Sequence, residues 1–231
     1  GVNSMQLFCF DSYGLFITTT PATITSHGEE SGEFTATIPA NTRRIHFIAN
    51  QNMTDFQEDE FRNKSEADVI ALLEGSSGMM IYWARFACDA NNEEPIDQQL
   101  AKNPNIIMIR NQAKITIDNP TGNGYLVVTG FTAYNTNAFG TVAPYHPTKG
   151  WVWSSNADVE PFVTLPASDA KLSDIQDVQD ISQNPELYVF ECENSSEDPV
   201  SVIIRGHLPG ESEELYYRVM LIKANGEQEL I

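Results

Sequence analysis

Apolar and polar residues alternate along most of the chain, and this pattern predicts short β-strands. Residues 5–10 and 15–20 alternate on either side of a turn at 11–14, which is typical of a β-hairpin. Further strands are predicted at 33–38, 43–49, 79–86, 106–117, 125–134, 187–192, 200–208 and 215–222. Strands at this spacing favour two all-β domains of the sandwich class.

One segment has helical periodicity instead. Ser65 stands where a helix N-cap would, and Asp68, three residues later, completes a capping box. An apolar stripe at 69–73 follows, and Gly75 marks the end. A helix of about ten residues is marginal by itself, so we expect it to cover a β core.

The stretch from 135 to 150 is rich in Asn, Gly, Pro and Thr and has no periodicity, which indicates an inter-domain connection. This predicts an N-terminal β-sandwich domain at 1–138 and a C-terminal one at 139–231. The second domain shows few clear strands, fewer than the roughly seven strands of a closed sandwich. We therefore expect it to be incomplete, with an unpaired edge that pairs with another chain.

The unpaired edge implies a groove for a partner strand. We expect its lining from residues that alternate in strands without an obvious closing partner, namely Val202, Ile204, Val219 and Leu221.

Charge and composition narrow the class of protein. The 231 residues are 41% hydrophobic, enough to build packed cores, and 13 basic against 32 acidic residues give a net charge of -19. Such a charge opposes binding to nucleic acids and to anionic membranes. No apolar run approaches the roughly 20 residues of a membrane-spanning helix. The three widely spaced cysteines favour buried free thiols, although one disulfide remains open.

No catalytic, metal or cofactor motif is readable. The four histidines are scattered, and no nucleophile elbow, Walker loop or dinucleotide-binding fingerprint occurs. We therefore predict a protein that is not an enzyme and holds no cofactor. Trp151 and Trp153 could stack on sugar rings, or they could pack the interface between the two domains, and packing is favoured.

Five segments together resemble the fimbrillins of the Bacteroidetes, which are subunits of type V pili. They read VNSMQLFCFD at 2–11, IPANTRRIHFIAN at 38–50, IRNQAKIT at 109–116, GTVAP at 140–144, and VIIRG with YYRV at 202–206 and 216–219. The resemblance implies tandem transthyretin-like sandwiches, export as a lipoprotein, trimming of an N-terminal strand, and assembly by strand exchange. The family's lipobox cysteine and leading strand are not in this sequence, so we expect a processed or truncated form.

These observations predict a non-enzymatic fimbrial subunit, structural or adhesive, at the cell surface or outer membrane. Its partners would be other pilus subunits and a host or bacterial surface ligand. The alternative is a carbohydrate-binding surface adhesin module that uses the two tryptophans. A hydrolase has the least support in the sequence.

Overall fold

The computed structural model describes residues 1–28, 30–76, 78–118, 125–146, 150–151, 178–183, 185–192, 194, 197 and 199–221. The predicted all-β fold is confirmed, since strands account for 44% of the residues and helices for 11%, and the helices are short. By internal contacts the chain divides into two compact units. The first unit comprises 1–111 and 141–151, and the second comprises 112–140 and 152–231.

The strands and helices follow one another in this order: β1 (Met5–Phe10), β2 (Phe16–Pro21), β3 (Thr23–His27), β4 (Gly32–Thr35), β5 (Arg44–Ala49), α1 (Glu66–Ala71), β6 (Glu74–Ser76), β7 (Tyr82–Ala87), α2 (Ile96–Lys102), β8 (Ile109–Arg110), β9 (Gln112–Ile115), β10 (Val127–Tyr134), β11 (Phe139–Thr141), β12 (Tyr145–His146), β13 (Gly150–Trp151), β14 (Gln179–Asp180), β15 (Leu187–Phe190), β16 (Ser201–His207) and β17 (Leu215–Met220). Single 3-10 turns lie at Glu58–Phe61 and Ile181–Gln183.

The first unit is built on an antiparallel five-stranded sheet in the order β2-β1-β5-β7-β8, and both of its faces are buried. Phe8 and Ile48 point into the core beneath α1. Leu7 and Phe47, one residue before each, point into a second core that includes Ile96 of α2. Because side chains alternate along a strand, a central strand with both faces covered contributes to two cores.

Helix α1 confirms the predicted covering helix and its cap, but it is six residues long instead of about ten, and Gly75 lies in β6 instead of marking the helix end. The side chain of Ser65 accepts a hydrogen bond from the backbone N–H of Asp68, and Asp68 completes the capping box. Val69 and Ile70 are buried in the core against the sheet. Helix α2 was not predicted, because its seven residues place only Ile96 and Leu100 on one apolar face.

The second unit contains a four-stranded sheet in the order β14-β10-β16-β17 and a two-stranded sheet of β9 and β15. Both sheets contribute to one core. Phe131 of β10 and Val202 of β16 pack with Leu187 and Val189 of β15, and Ala113 of β9 adjoins them. This face-to-face packing of two sheets is the arrangement of a β-sandwich.

The compact units differ from the predicted boundary between residues 138 and 139. Residues 112–138 belong to the second unit because β9 pairs with β15 and β10 pairs with β16, and 141–151 return to the first. The predicted single strand at 106–117 is correspondingly two short strands that pair in different sheets. Between them, Asn111 bonds through its backbone and side chain to Ile81 of the first unit. Independent folding of each unit stays a prediction.

Asn50 fixes the beginning of the described chain to the first sheet. It follows β5 directly and adopts a left-handed conformation with φ 64°. Its side-chain oxygen accepts hydrogen bonds from the N–H groups of Asn3 and Ser4, at 2.8 and 3.4 Å. Its side-chain nitrogen donates to the carbonyls of Gly1 and Met80, at 3.1 and 2.9 Å. One buried amide therefore satisfies four backbone groups.

We expect Asn50→Ala to lower the free energy of unfolding by about 2–4 kcal/mol, because it removes these bonds and places Ala in the left-handed region. Amide exchange at residues 1–4 should accelerate in the same variant. Asn63→Ala is the matched control, since Asn63 is exposed and also left-handed at φ 61°. Equal losses in chemical denaturation of the two variants would show that the backbone conformation alone matters.

Candidate functional site

The predicted groove residues lie on β16, on β17 and directly after β17, in the four-stranded sheet of the second unit. β16 pairs with β10 on one side and with β17 on the other, so it is an interior strand. β17 pairs with β16, and no described residue pairs with its other side. The edge that the sequence predicts therefore belongs to β17 and not to β16.

The register of the sheet shows which side chains share a face with the core. Val219 lies opposite Val202, and Tyr217 lies opposite Ile204. Directly opposite residues in an antiparallel pair point to the same side. Val202 is 4% exposed, whereas Val219 is 45% and Tyr217 42% exposed. The core-facing row of side chains thus passes from buried to exposed between one strand and the next.

The four predicted residues are brought together on this face. Val202 belongs to the core cluster, and Ile204 and Leu221 pack against it. Leu221 continues past β17, and its N–H donates to the carbonyl of Val200 at 3.3 Å. Only Val219 of the four is a largely exposed apolar side chain. Their role in holding a partner strand stays a prediction.

The sequence analysis missed three exposed apolar residues of the same strand. Tyr216 is 63% and Met220 49% exposed, and they point to the face opposite Tyr217. The signal was available, because Tyr216 and Tyr217 are consecutive and consecutive residues of a strand occupy opposite faces. β17 therefore exposes apolar side chains on both faces, and among the described residues its outer edge has no strand neighbour.

Arg218 is the only charged residue within β17, and its guanidinium is held by its own sheet. Nε donates to the hydroxyl of Ser201 at 2.7 Å, and Nη2 donates to the carbonyl of Pro199 at 3.2 Å. The group also lies 4.9 Å from the ring centre of Tyr134, a cation–π distance. These contacts direct the charge away from the outer edge of β17.

Trp151, the other predicted binding residue, packs within the first unit. Its ring centre lies 4.5 Å from that of His46 and 4.7 Å from that of Tyr145. Trp83 lies 5.8 Å away, and the guanidinium of Arg85 is 5.8 Å from the Trp151 ring. These neighbours all belong to the first unit, and packing between the two domains stays a prediction. Trp153 lies outside the described residues, and glycan stacking stays a prediction.

Beneath Trp151 lies a buried ionic network centred on Glu66, the first residue of α1. Arg44 Nη1 donates to Oε1 at 2.6 Å, and Arg85 Nε donates to Oε2 at 2.6 Å. His46 Nε2 lies 2.8 Å from Oε2. The sequence places His46 beside arginines but gives no indication of its acidic partner, which is 20 residues away along the chain.

The network fixes the protonation of His46. Trp83 Nε1 has only a proton to offer, and it donates to His46 Nδ1 at 3.0 Å. His46 therefore carries its proton on Nε2 and donates it to Glu66. Burial lowers the pKa of His46 to about 4, although the hydrogen bond and charge of Glu66 oppose this shift. The ring is thus neutral at physiological pH.

Glu66 is ionised at physiological pH. Burial alone would raise its pKa, but the hydrogen bonds from His46, Arg85 and Arg44 outweigh that effect and hold the pKa well below its usual range. A fourth hydrogen bond comes from Arg85 Nη2, which donates to Oε1 at 3.1 Å, and Glu66 is buried. The carboxylate thus joins α1 to β5 and β7.

The other reactive side chains that the structure describes bear on two kinds of site, a metal site and a thiol nucleophile. Across the part of the chain that the structure describes, no three His, Cys, Asp or Glu residues converge in a way that could hold a metal ion. Cys9, Cys88 and Cys192 form no disulfide with one another, and burial raises the pKa of Cys9 to about 11. A thiol that stays protonated is a poor nucleophile. Among the same residues no helix is long and apolar enough to cross a membrane.

A cavity of about 350 Å³ opens in the first unit beside the β3–β4 hairpin. Phe34, Tyr82 and Met108 form apolar parts of its lining, and His27 and Glu33 lie among its polar residues. Its described lining includes the carboxylates of Glu30 and Glu33.

The buried network predicts that acid destabilises the first unit. His46 in the unfolded chain takes up a proton near its ordinary pKa of 6.5, whereas folded His46 does so only near 4. The unfolded state therefore binds more protons between these values, and stability falls as the pH falls. Glu66 adds a further loss below its ordinary value of 4.5, because its folded pKa is depressed.

We expect the melting temperature to fall by on the order of 5 °C between pH 6.5 and 4.5 because of His46. His46→Gln keeps a donor to Glu66 but cannot titrate, so its profile should be flatter in this window. Calorimetry at several pH values measures both. Parallel profiles for the two proteins would contradict the assignment of a neutral buried His46.

Comparison with known proteins supports the fold and does not establish a family. No protein-family model matches the chain, and no curated protein matches it significantly in sequence. A crystal structure from Parabacteroides distasonis, provisionally described as a cell adhesion protein, is similar at a TM-score of 0.53 and 13% identity, over 99% of this chain and 75% of that one. A second such protein from the same organism reaches 0.49 at 14% identity, over 99% and 82% of the two chains. At 13% identity the first likeness shows a shared fold.

Proposed function

We propose that this protein is a non-enzymatic fimbrial subunit, structural or adhesive, which joins its neighbours at the cell surface by β-strand exchange. The single observation that carries the proposal is the edge strand β17. It has one strand neighbour among the described residues, and it exposes apolar side chains on both faces.

The physical reason lies in what an open edge exposes. A strand with one neighbour leaves N–H and C=O groups on its other side without a strand partner, and another chain can pair with them. A partner strand there would also continue the face formed by Val202 and Val219, so that its apolar side chains extend the core of the second unit. We therefore propose Val202, Ile204, Val219 and Leu221 as the residues that meet the partner strand.

Two further observations support a surface role. The fold is shared with a protein that has been provisionally described as a cell adhesion protein. The net charge of -19 favours solubility in a crowded exterior and opposes nucleic-acid binding. The partners would accordingly be other pilus subunits and a host or bacterial surface ligand, and no cofactor is required.

Immunogold electron microscopy of cells that produce the protein tests its location. We expect gold particles on the cell surface and along filaments, because a fimbrial subunit is exported and assembled there. Cells in which the gene has been deleted give the background. Label confined to the cell interior would contradict the proposal.

Strand addition can be tested with a nine-residue peptide of alternating Thr and Val, flanked by Lys for solubility. We expect it to raise the melting temperature and to slow amide exchange in Leu215–Met220, because binding stabilises the folded state. The same peptide with every backbone nitrogen methylated should do neither.

Val219→Lys places an inward-pointing charge on the edge and should abolish both effects of the Thr–Val peptide. Val219 is 45% exposed, so the fold should tolerate the change. Unchanged exchange in β17 of the unsubstituted protein at saturating peptide would contradict strand addition at this edge.

A further inference from the structure

We propose that Arg44, Arg85 and Trp151 of the first unit bind an acidic sugar, whose carboxylate is held by the two arginines and whose ring packs against the tryptophan. This site rests on the proposed function in one respect, because it gives the chemical class of surface ligand that an adhesive subunit would take. It lies in the first unit and is independent of strand β17.

The two arginines lie side by side on one face of the first sheet. Arg85 of β7 is directly opposite His46 of β5, and Arg44 precedes His46 by two residues. Residues that are opposite each other, or two apart on one strand, point to the same side of a sheet. Both guanidinium groups bond to the carboxylate of Glu66 in α1. The pair is therefore held in place before any ligand arrives.

The pair carries more positive charge than its protein partners cancel. Arg44 and Arg85 share the one carboxylate of Glu66, and within the described ranges no second carboxylate forms an ion pair with either of them. His46 is neutral at physiological pH, so two cations face one anion. The chain has 32 acidic and 13 basic residues, so a shortage of carboxylates does not explain the excess. A carboxylate from a ligand would neutralise it.

This excess charge is accessible from solvent. The side chain of Glu66 is 6% exposed, whereas those of Arg44 and Arg85 are 33% and 21% exposed. Arg44 donates through its two Nη atoms to Glu66 and Ser12, and Arg85 donates to Glu66 through Nε and Nη2. Among the described residues, Arg44 Nε and Arg85 Nη1 have no acceptor. Guanidinium groups bind carboxylates through strong, charge-assisted hydrogen bonds, so these donors suit an acidic ligand.

Aromatic side chains adjoin the arginines. The guanidinium of Arg85 lies 5.8 Å from the centre of the Trp151 ring, and the ring of Tyr145 lies 4.7 Å from Trp151. Both aromatic residues are half-buried, so part of their apolar surface is left for a ligand. Aromatic rings provide rigid apolar contact area, and ligand sites combine such area with a few fixed polar groups. A sugar ring that bears a carboxylate matches both parts of this surface.

Titration with glucuronate tests the class of ligand. Glucose is the matched ligand, because it has the same ring but no carboxylate, and acetate has the carboxylate but no ring. We expect glucuronate to bind with a dissociation constant on the order of 1 mM, more weakly at higher salt, and to shift the Arg44 Nε–H signal in NMR spectra. Glucose and acetate should each bind at least about tenfold more weakly. Equal binding of either one would overturn the acidic-sugar assignment.

Substitution of the arginines tests the position of the site. Arg44→Gln should weaken glucuronate binding about tenfold or more, because it removes a charge-assisted hydrogen bond. Arg44→Lys keeps the charge but not the planar set of donors, so its affinity should be intermediate. Arg43→Gln is the matched control, since Arg43 bonds to the carbonyls of Ala40 and Thr42 and not to Glu66. Equal losses in Arg43→Gln and Arg44→Gln would show a general charge effect and overturn the site.

The role of Trp151 has its own readout. Trp151→Leu should weaken the binding of glucuronate and leave the weak binding of acetate unchanged, because only the sugar presents a ring to the tryptophan. Melting temperatures of all variants check that the first unit remains folded. An unchanged affinity for glucuronate in folded Trp151→Leu would contradict the assignment of a sugar ligand.

Failure of this site and failure of the proposed function are distinguishable. A protein that is found along surface filaments and gains exchange protection in β17 from the Thr–Val peptide, but takes no glucuronate, would refute the acidic-sugar site alone. A protein that binds glucuronate through Arg44 but is confined to the cell interior would support the site and refute the fimbrial role.

Discussion

The first unit depends on the ion pairs and the hydrogen bond that the carboxylate of Glu66 makes with Arg44, Arg85 and His46. The central strand β5 has both faces buried, so period-two alternation carries His46 into the interior along with its apolar neighbours. A buried imidazole needs partners for both ring nitrogens, and Trp83 and Glu66 supply them. Glu66 then needs cations of its own, which Arg44 and Arg85 provide from strands on the same sheet. Removing the carboxylate would leave two arginines without their shared partner beneath α1.

The second unit differs in both respects as far as the structure describes it. Its core cluster is apolar, and its larger sheet ends at β17, whose inner face is not fully covered. A globular protein usually blunts such an edge with a charge or a proline. The one charged residue of β17 is Arg218, and its guanidinium contacts Ser201 and Tyr134 of its own sheet. The strand thus keeps the hydrogen-bonding and apolar features that another strand would need.

Local patterns predicted much of this fold. The hairpin of β1 and β2 and the cap of α1 were readable, because alternation and capping involve residues only a few positions apart. The partners of strands that lie far apart in the sequence could not be predicted, since such pairing is decided by contacts between distant residues. Alternation runs on through Asn111, although the chain passes from the first unit to the second there. The predicted groove residues do converge, but β16 is interior because β10, about 70 residues earlier, pairs with its other side.

The path of the chain has a consequence for the order of synthesis. The core beneath α1 includes Val142 and Ala143, with Trp151 packed against it, and these residues follow β9 and β10 of the second unit. The ribosome therefore synthesises β9 and β10 of the second unit before it completes the first unit. At translation speeds of roughly 5–20 residues per second, β15 and β16, the strands that pair with β9 and β10, are synthesised several seconds later. During that interval their apolar faces are available to chaperones, or to the same strands on a neighbouring nascent chain.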